Sequence, residues 1–229
     1  MLKFIDVPTE KHGERKVDTP SLLILHSTDL PTSTSLEVLT RSSREVSCHY
    51  LVSPEGNIYR MVPEERRAWH AGKSYWRGNT DINSMSIGIE MVWPGDREAE
   101  ENEIPGPFPE PQLEAVYALA EDITKRWSIK PEDVLAHSDI APGRKRDPGE
   151  RFPWQKLADT GVALWPWRPY PMPSSGDLEP LLRRYGYDVS NPHEALVAFQ
   201  RHFRPRECRG IADSETRSIL EWLLKKTGR

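Results

Sequence analysis

Apolar positions along the chain alternate between two rhythms. Ser21 to Leu25, "SLLIL", is a continuous apolar run too short for a helix. It predicts a buried strand that delivers His26 at its C-terminal tip, followed by a polar turn and a helix around Leu36 to Ser42. "CHYLVS" and "IYRMV", joined by "PEGN" with its Pro54, Gly56 and Asn57, predict a hairpin. "MSIGIEMVW" predicts another strand, with Glu90 facing opposite to its apolar neighbours Ile89 and Met91. From Pro111 to Trp127 the rhythm changes: Leu113, Val116, Tyr117, Ala120, Ile123 and Trp127 recur at spacings of three and four, the stripe of an amphipathic helix entered through a proline. "SIKPEDVL" then leads into a short strand ending at "AHSD", so strands and helices alternate as in an α/β fold.

Two segments interrupt this order. Between Glu98 and Pro111, "EAEENEIPGPFPEP" predicts an acidic, proline-rich loop at the rim of whatever site the strand ends create. After Trp165, "WPWRPYPMPSSGD" reads as a semi-rigid linker, and beyond it "DLEPLLRRYG", "NPHEALVAFQRHFR" and "DSETRSILEWLLKK" predict three short helices. Asn191 and Asp213 are the expected N-caps and Gly186 a helix stop. The expected organisation is an α/β domain over residues 1–165, a linker over 166–175 and a three-helix bundle over 176–229.

Composition narrows the chemistry. A chain of 229 residues can bury a sizeable core without staples. Its 31 basic and 35 acidic residues are mixed along the chain, with no basic stripe to follow a phosphate backbone, so nucleic acid is not an expected partner. The two cysteines, Cys48 and Cys208, fall in different predicted domains, which argues against a disulfide framework and a thiolate metal site. Any metal would use nitrogen and oxygen ligands. Neither a membrane span nor a secretory leader is expected in the chain as numbered.

His26 and His137 each stand where a predicted buried strand emerges into a loop, and such ends converge along one edge of an α/β sheet. "AHSDIAPGRKRDPGERFPW", residues 136–154, predicts a stiff loop in which Pro142 and Pro148 hold His137 and Asp147 ten residues apart. A catalytic zinc needs three such ligands at about 2.0–2.2 Å and an open fourth position, and His26, His137 and Asp147 could supply them.

"HSDIAPGRKRDPG" followed by "FPW", with upstream "LHST", "HYLVSPEGNIYRMVPEERRAWHAG" and "NSMSIGIE", closely resembles the zinc-dependent N-acetylmuramoyl-L-alanine amidases of the type 2 amidase family, which share the peptidoglycan-recognition-protein fold. The resemblance covers about 150 residues in order. The C-terminal "LLRRYGYDV", "AFQRHFRP" and "GIADSETRSILEWLL" resemble the three-helix peptidoglycan-binding domain appended to some of these enzymes. The resemblance implies a mixed central sheet flanked by helices. It places one zinc on His26, His137 and Asp147, the catalytic glutamate on Glu90 and the catalytic lysine on Lys145. It also sets His70, in "AWHAG", along the substrate groove, while Trp76 and Arg77, in "YWRGN", are expected to contact sugar or stem peptide. Departures from the family pattern at Ser27 and at Met91, Val92 and Trp93 touch the groove rather than the metal set.

The implied activity is hydrolysis of the amide between N-acetylmuramic acid and L-alanine in peptidoglycan or muropeptides. A zinc peptidase cutting within the stem peptide, and a non-catalytic peptidoglycan receptor, are the alternatives. A receptor would have lost a ligand, and here all three ligand positions are filled. A polymer-binding bundle points to the cell envelope or periplasm, with cytoplasmic work on recycled muropeptides as the other possibility.

Overall fold

The computed structural model describes residues 2–93 and 106–229. Strand β1 (Phe4–Asp6) and strand β2 (His12–Glu14) precede the central strand β3 (Leu22–Thr28), which leads to helix α1 (Thr32–Thr40). Strands β4 (Tyr50–Val52), β5 (Ile58–Arg60) and β6 (Arg66–Ala68), the short helix α2 (Ile82–Met85) and strand β7 (Ser86–Val92) follow. Helix α3 (Glu110–Trp127), strand β8 (Val134–Ala136), the single turn α4 (His137–Ile140) and helix α5 (Trp154–Asp159) complete this part of the chain. Six strands form one mixed sheet in the order β1-β5-β4-β7-β3-β8, in which β3 lies parallel to both β7 and β8, while β2 and β6 pair separately. The mixed sheet flanked by helices is the architecture that the family resemblance implies.

The alternation along β3 and β7 decides what each face of the sheet does. Leu23, Leu25, Ile87, Ile89 and Met91 point to one face and are buried under α3 through Leu113, Val116, Leu119 and Ile123. Leu22 and Ile24 point to the other, and by the same period of two His26 shares their face, as Glu90 shares that of Ser86 and Gly88. His26 and Glu90 are register partners on adjacent parallel strands, so two polar groups stand side by side at the end of an apolar face.

The C-terminal helices are α6 (Glu179–Tyr185), α7 (Pro192–Phe203) and α8 (Ser214–Lys226). Both predicted caps form: the Asn191 side chain accepts from the Glu194 amide and that of Asp213 from the Thr216 amide. The bundle does not hang from a tether. Leu22, Ile24, Trp76, Ile82, Leu135 and Ile140 of the sheet domain share one apolar cluster with Leu182, Tyr185, Tyr187, Phe199 and Leu220 of the bundle. The linker is strapped along α8 by Ser174 to Glu221 and by Arg217 to the Gly176 carbonyl. The segment expected as a semi-rigid linker lies docked along the bundle, and the bundle covers the apolar sheet face beside His26.

Local boundaries differ in two informative places. The strand predicted to end with His26 at its tip runs on to Thr28, since β7 offers it a partner over its full length. The stretch after Ala136 was expected to be loop throughout, yet it begins with the helical turn α4, where the Asp139 carboxylate accepts from the Ala136 amide at 2.8 Å. The acidic loop expected over 98–111 lies outside the described residues up to position 105.

Candidate metal centre and groove

Two parallel strands and a loop bring the predicted ligands together. His26 projects from β3, His137 opens α4 directly after β8, and Asp147 returns from the following loop, whose Asp147 carbonyl accepts from the Ser138 amide at 3.1 Å. His26 Nδ1 lies 2.9 Å from His137 Nδ1, His137 Nδ1 lies 2.9 Å from Asp147 Oδ2, and His26 Nδ1 lies 3.4 Å from the same oxygen. Among the described residues this is the group of His, Cys, Asp and Glu side chains whose ligand atoms converge as a metal site requires.

The hydrogen-bond partners test whether a cation belongs there. His137 Nε2 lies 3.2 Å from the Ala71 carbonyl, which also accepts from Arg144 Nη2 at 2.6 Å, and the tautomer that donates from Nε2 to this carbonyl leaves a lone pair on Nδ1. His26 Nε2 is 2.8 Å from His70 Nδ1 and is likewise engaged on its outer side. In that tautomer two imidazole lone pairs and a carboxylate oxygen face one another, an arrangement that a cation stabilises. Ligands on a tetrahedral ion with bonds of about 2.0–2.1 Å stand about 3.3 Å apart, close to the three separations here. The two-nitrogen, one-oxygen donor set suits a divalent metal ion.

The protonation states agree. Burial, reinforced by the neighbouring His137, lowers the His26 pKa to about 4, so the ring is neutral at pH 7 and free to ligate. Burial alone would raise the Asp147 carboxyl, but the facing His137 and His26 rings outweigh it and hold the group well below the usual carboxylate range. Glu90 moves the other way: burial, and after it the Asp147 carboxylate, raise its pKa well above the ordinary value against an opposing effect of Lys145. A carboxyl whose proton affinity is raised beside one whose proton affinity is lowered is the division of labour expected of a base and a ligand.

Lys145 is half-buried and, with His70, Gly72, His137 and Arg144, lines an open groove at the cluster. Trp76 and Arg77 do not. Trp76 is 2% exposed, its ring edge-on to Tyr185 and Tyr187 of the bundle with centroids 6.0 and 5.1 Å away. Arg77 pairs with Asp133 and donates to the carbonyls of Glu132 and Tyr185 at 3.1 and 3.2 Å. Both serve the seam between sheet and bundle, Trp76 buried there and Arg77 tied to Asp133, Glu132 and Tyr185, rather than lining the groove.

Sequence reasoning missed Ala71, Asn83, Ser86 and Gly88. Their contributions are a carbonyl, an amide oxygen, a hydroxyl and an absent Cβ, and no periodicity or ligand spacing marks such groups.

Comparison with known proteins adds to this picture. The profile of a family described as N-acetylmuramoyl-L-alanine amidase matches residues 16–150. The N-acetylmuramoyl-L-alanine amidase AmiD of Escherichia coli is 41% identical, covering 96% of this chain and 88% of its own length. The 1,6-anhydro-N-acetylmuramyl-L-alanine amidase AmpD of Enterobacter cloacae is 30% identical over 66% of this chain. A solved complex of E. coli AmiD with the substrate anhydro-N-acetylmuramic acid-L-Ala-D-γ-Glu-L-Lys superposes with a TM-score of 0.83, covering 94% of this chain and 93% of that one. The structure of AmpDh3 from Pseudomonas aeruginosa gives 0.80 at 33% identity, covering 92% of this chain and 93% of that one.

Proposed function

The chain belongs to the Amidase_2 family of N-acetylmuramoyl-L-alanine amidases, and from that premise we propose that it is a zinc enzyme whose ion is held by His26, His137 and Asp147. The reaction is hydrolysis of the amide bond between the lactyl group of N-acetylmuramic acid and L-alanine. Water adds across the bond, leaving a carboxylic acid on the sugar and a free amine on the stem peptide. The observation that carries the zinc reading is the convergence of two Nδ1 lone pairs and one carboxylate oxygen within 3.4 Å of one another.

Zinc, when bound, supplies Lewis acidity toward the amide carbonyl and water. The protein's own groups do the rest. Glu90 takes a proton from the attacking water and delivers it to the leaving nitrogen, a task suited to a carboxyl whose proton affinity burial raises above the ordinary carboxylate range. Lys145, a cation lining the groove beside His137, stabilises the negative charge that develops on the amide oxygen. The groove walls of Gly72 and Arg144 position the muropeptide.

The substrate class is peptidoglycan or its muropeptide fragments, by analogy with the substrate held by AmiD. The bundle's resemblance to peptidoglycan-binding domains supports polymer binding next to the catalytic groove, and with it a place in the cell envelope. No helix among the described residues is long and apolar enough to cross a membrane. Mass spectrometry of products from purified muropeptides, with and without added zinc after chelation, tests the reading. Release of an intact stem peptide and a lactyl carboxylate only in the presence of metal is expected; cuts between stem residues, or activity indifferent to chelation, would sink it.

A further inference from the structure

The metal histidines are held from behind by one short segment. His70 presents Nδ1 to His26 Nε2 at 2.8 Å, and the next residue, Ala71, presents its carbonyl to His137 Nε2 at 3.2 Å. The segment is itself fixed, because the buried Asn83 accepts from both the His70 and Ala71 amides through one oxygen, at 3.0 and 2.8 Å.

We propose that His70–Ala71 is the outer clamp of the zinc site, with His70 the positioning residue that sets the tautomer of His26. The inference rests on the zinc reading above. Its logic starts at a group that cannot donate. The Ser86 hydroxyl donates to the Ile82 carbonyl at 2.7 Å, which uses its one proton. Ser86 Oγ therefore accepts from His70 Nε2–H, 3.3 Å away. With its proton on Nε2, neutral His70 has a bare Nδ1, which accepts from His26 Nε2–H and leaves His26 Nδ1 with its lone pair toward the ligand cluster. Each link determines the next.

Two further observations support the assignment. The His26 and His70 rings meet edge-on, with centroids 4.9 Å apart and planes at 87°, which lets a ring N–H point along the partner's in-plane lone pair. A Cβ at Gly88, the glycine of "IGIE", would stand 2.8 Å from both Cγ and Nδ1 of His70, so the strand leaves out a side chain where the His70 ring lies. Outer partners of metal-bound histidines commonly contribute about 10–100-fold to metal affinity by fixing ring orientation and tautomer.

The test measures zinc affinity by competition with a chromogenic chelator in the full chain. His70→Phe keeps a ring without an acceptor and should bind zinc about 10–100-fold more weakly, while His70→Gln, whose side-chain oxygen can accept, should recover part of the loss. An affinity for His70→Phe within about twofold of wild type would overturn the clamp, as would a change confined to KM, the signature of a substrate contact. Should His70→Phe not fold, long-range proton–nitrogen NMR of the zinc-loaded wild type decides: protons on Nε2 of His26 and His70 are expected, and a proton on His70 Nδ1 refutes the relay. Failure of wild type to bind zinc would instead sink the metal reading, and so the two are separable.

Discussion

Replacing Phe199 by alanine probes whether the bundle is a part of the enzyme or an accessory to it. Phe199 is fully buried in α7, with Tyr185, Tyr187 and Phe203 rings 6.5, 6.1 and 5.2 Å from its own. Truncating a buried phenylalanine costs about 3–5 kcal/mol. What that does to melting depends on the size of the unit that unfolds. The seam buries Leu22, Ile24, Leu135 and Ile140 against the bundle, at about 1.5–3 kcal/mol for each fully buried aliphatic. The apolar burial at stake is comparable with the stability of a whole domain. Tyr187 also donates to Asp139 at 2.6 Å, and His202 Nδ1 lies 2.6 Å from the other oxygen of the same carboxylate, which caps the turn carrying His137. Sheet and bundle should therefore unfold together. An entropy of about 2.1 cal/mol/K per residue over the whole chain gives about 0.5 kcal/mol/K, so Tm should fall by about 6–10 °C in a single calorimetric transition. An independent bundle of about fifty residues has an unfolding entropy several times smaller; it would melt at far lower temperature and leave the main transition in place. Two transitions, with the larger one unshifted by Phe199→Ala, would refute the shared core.

Three other substitutions address the chemistry. Glu90→Gln should retain zinc, measured by atomic emission, while kcat falls about 10²–10⁴-fold, as expected on removing a general base; near-normal turnover would remove Glu90 from the mechanism. Lys145→Met should lower kcat with KM nearly unchanged, read from steady-state kinetics on one purified muropeptide, and a pure KM effect would contradict charge stabilisation in the transition state. His137→Ala should lose its stoichiometric zinc on dialysis, since two of the three contacts within the cluster involve its Nδ1, and a retained ion would place the metal elsewhere.

Much of this protein is legible without coordinates because local rules govern it. The period of two in "SIGIE" sets Glu90 opposite Ile89 and Met91 whatever lies above the sheet, and the same rule puts His26 on one face with Leu22 and Ile24. The three-and-four spacing that marks α3 and the Asn191 and Asp213 caps are short-range effects of the same kind. Chemistry at fixed residue types, the two histidines and the aspartate, is equally visible in the string.

The tertiary structure alone decides what covers each face. An aromatic beside an arginine in "YWRGN" reads the same whether it stacks on a sugar or on Tyr187, and only the docking of a bundle more than a hundred residues further along the chain turns Trp76 into core. His70 illustrates the same limit at the site itself. Its bond to His26 spans 44 positions and ends on a ring nitrogen whose proton is set by Ser86 and, through it, by a backbone carbonyl. Periodicity encodes which way a side chain points, because that depends on neighbouring dihedrals; it carries no record of the distant group it meets, because that depends on how the whole chain closes.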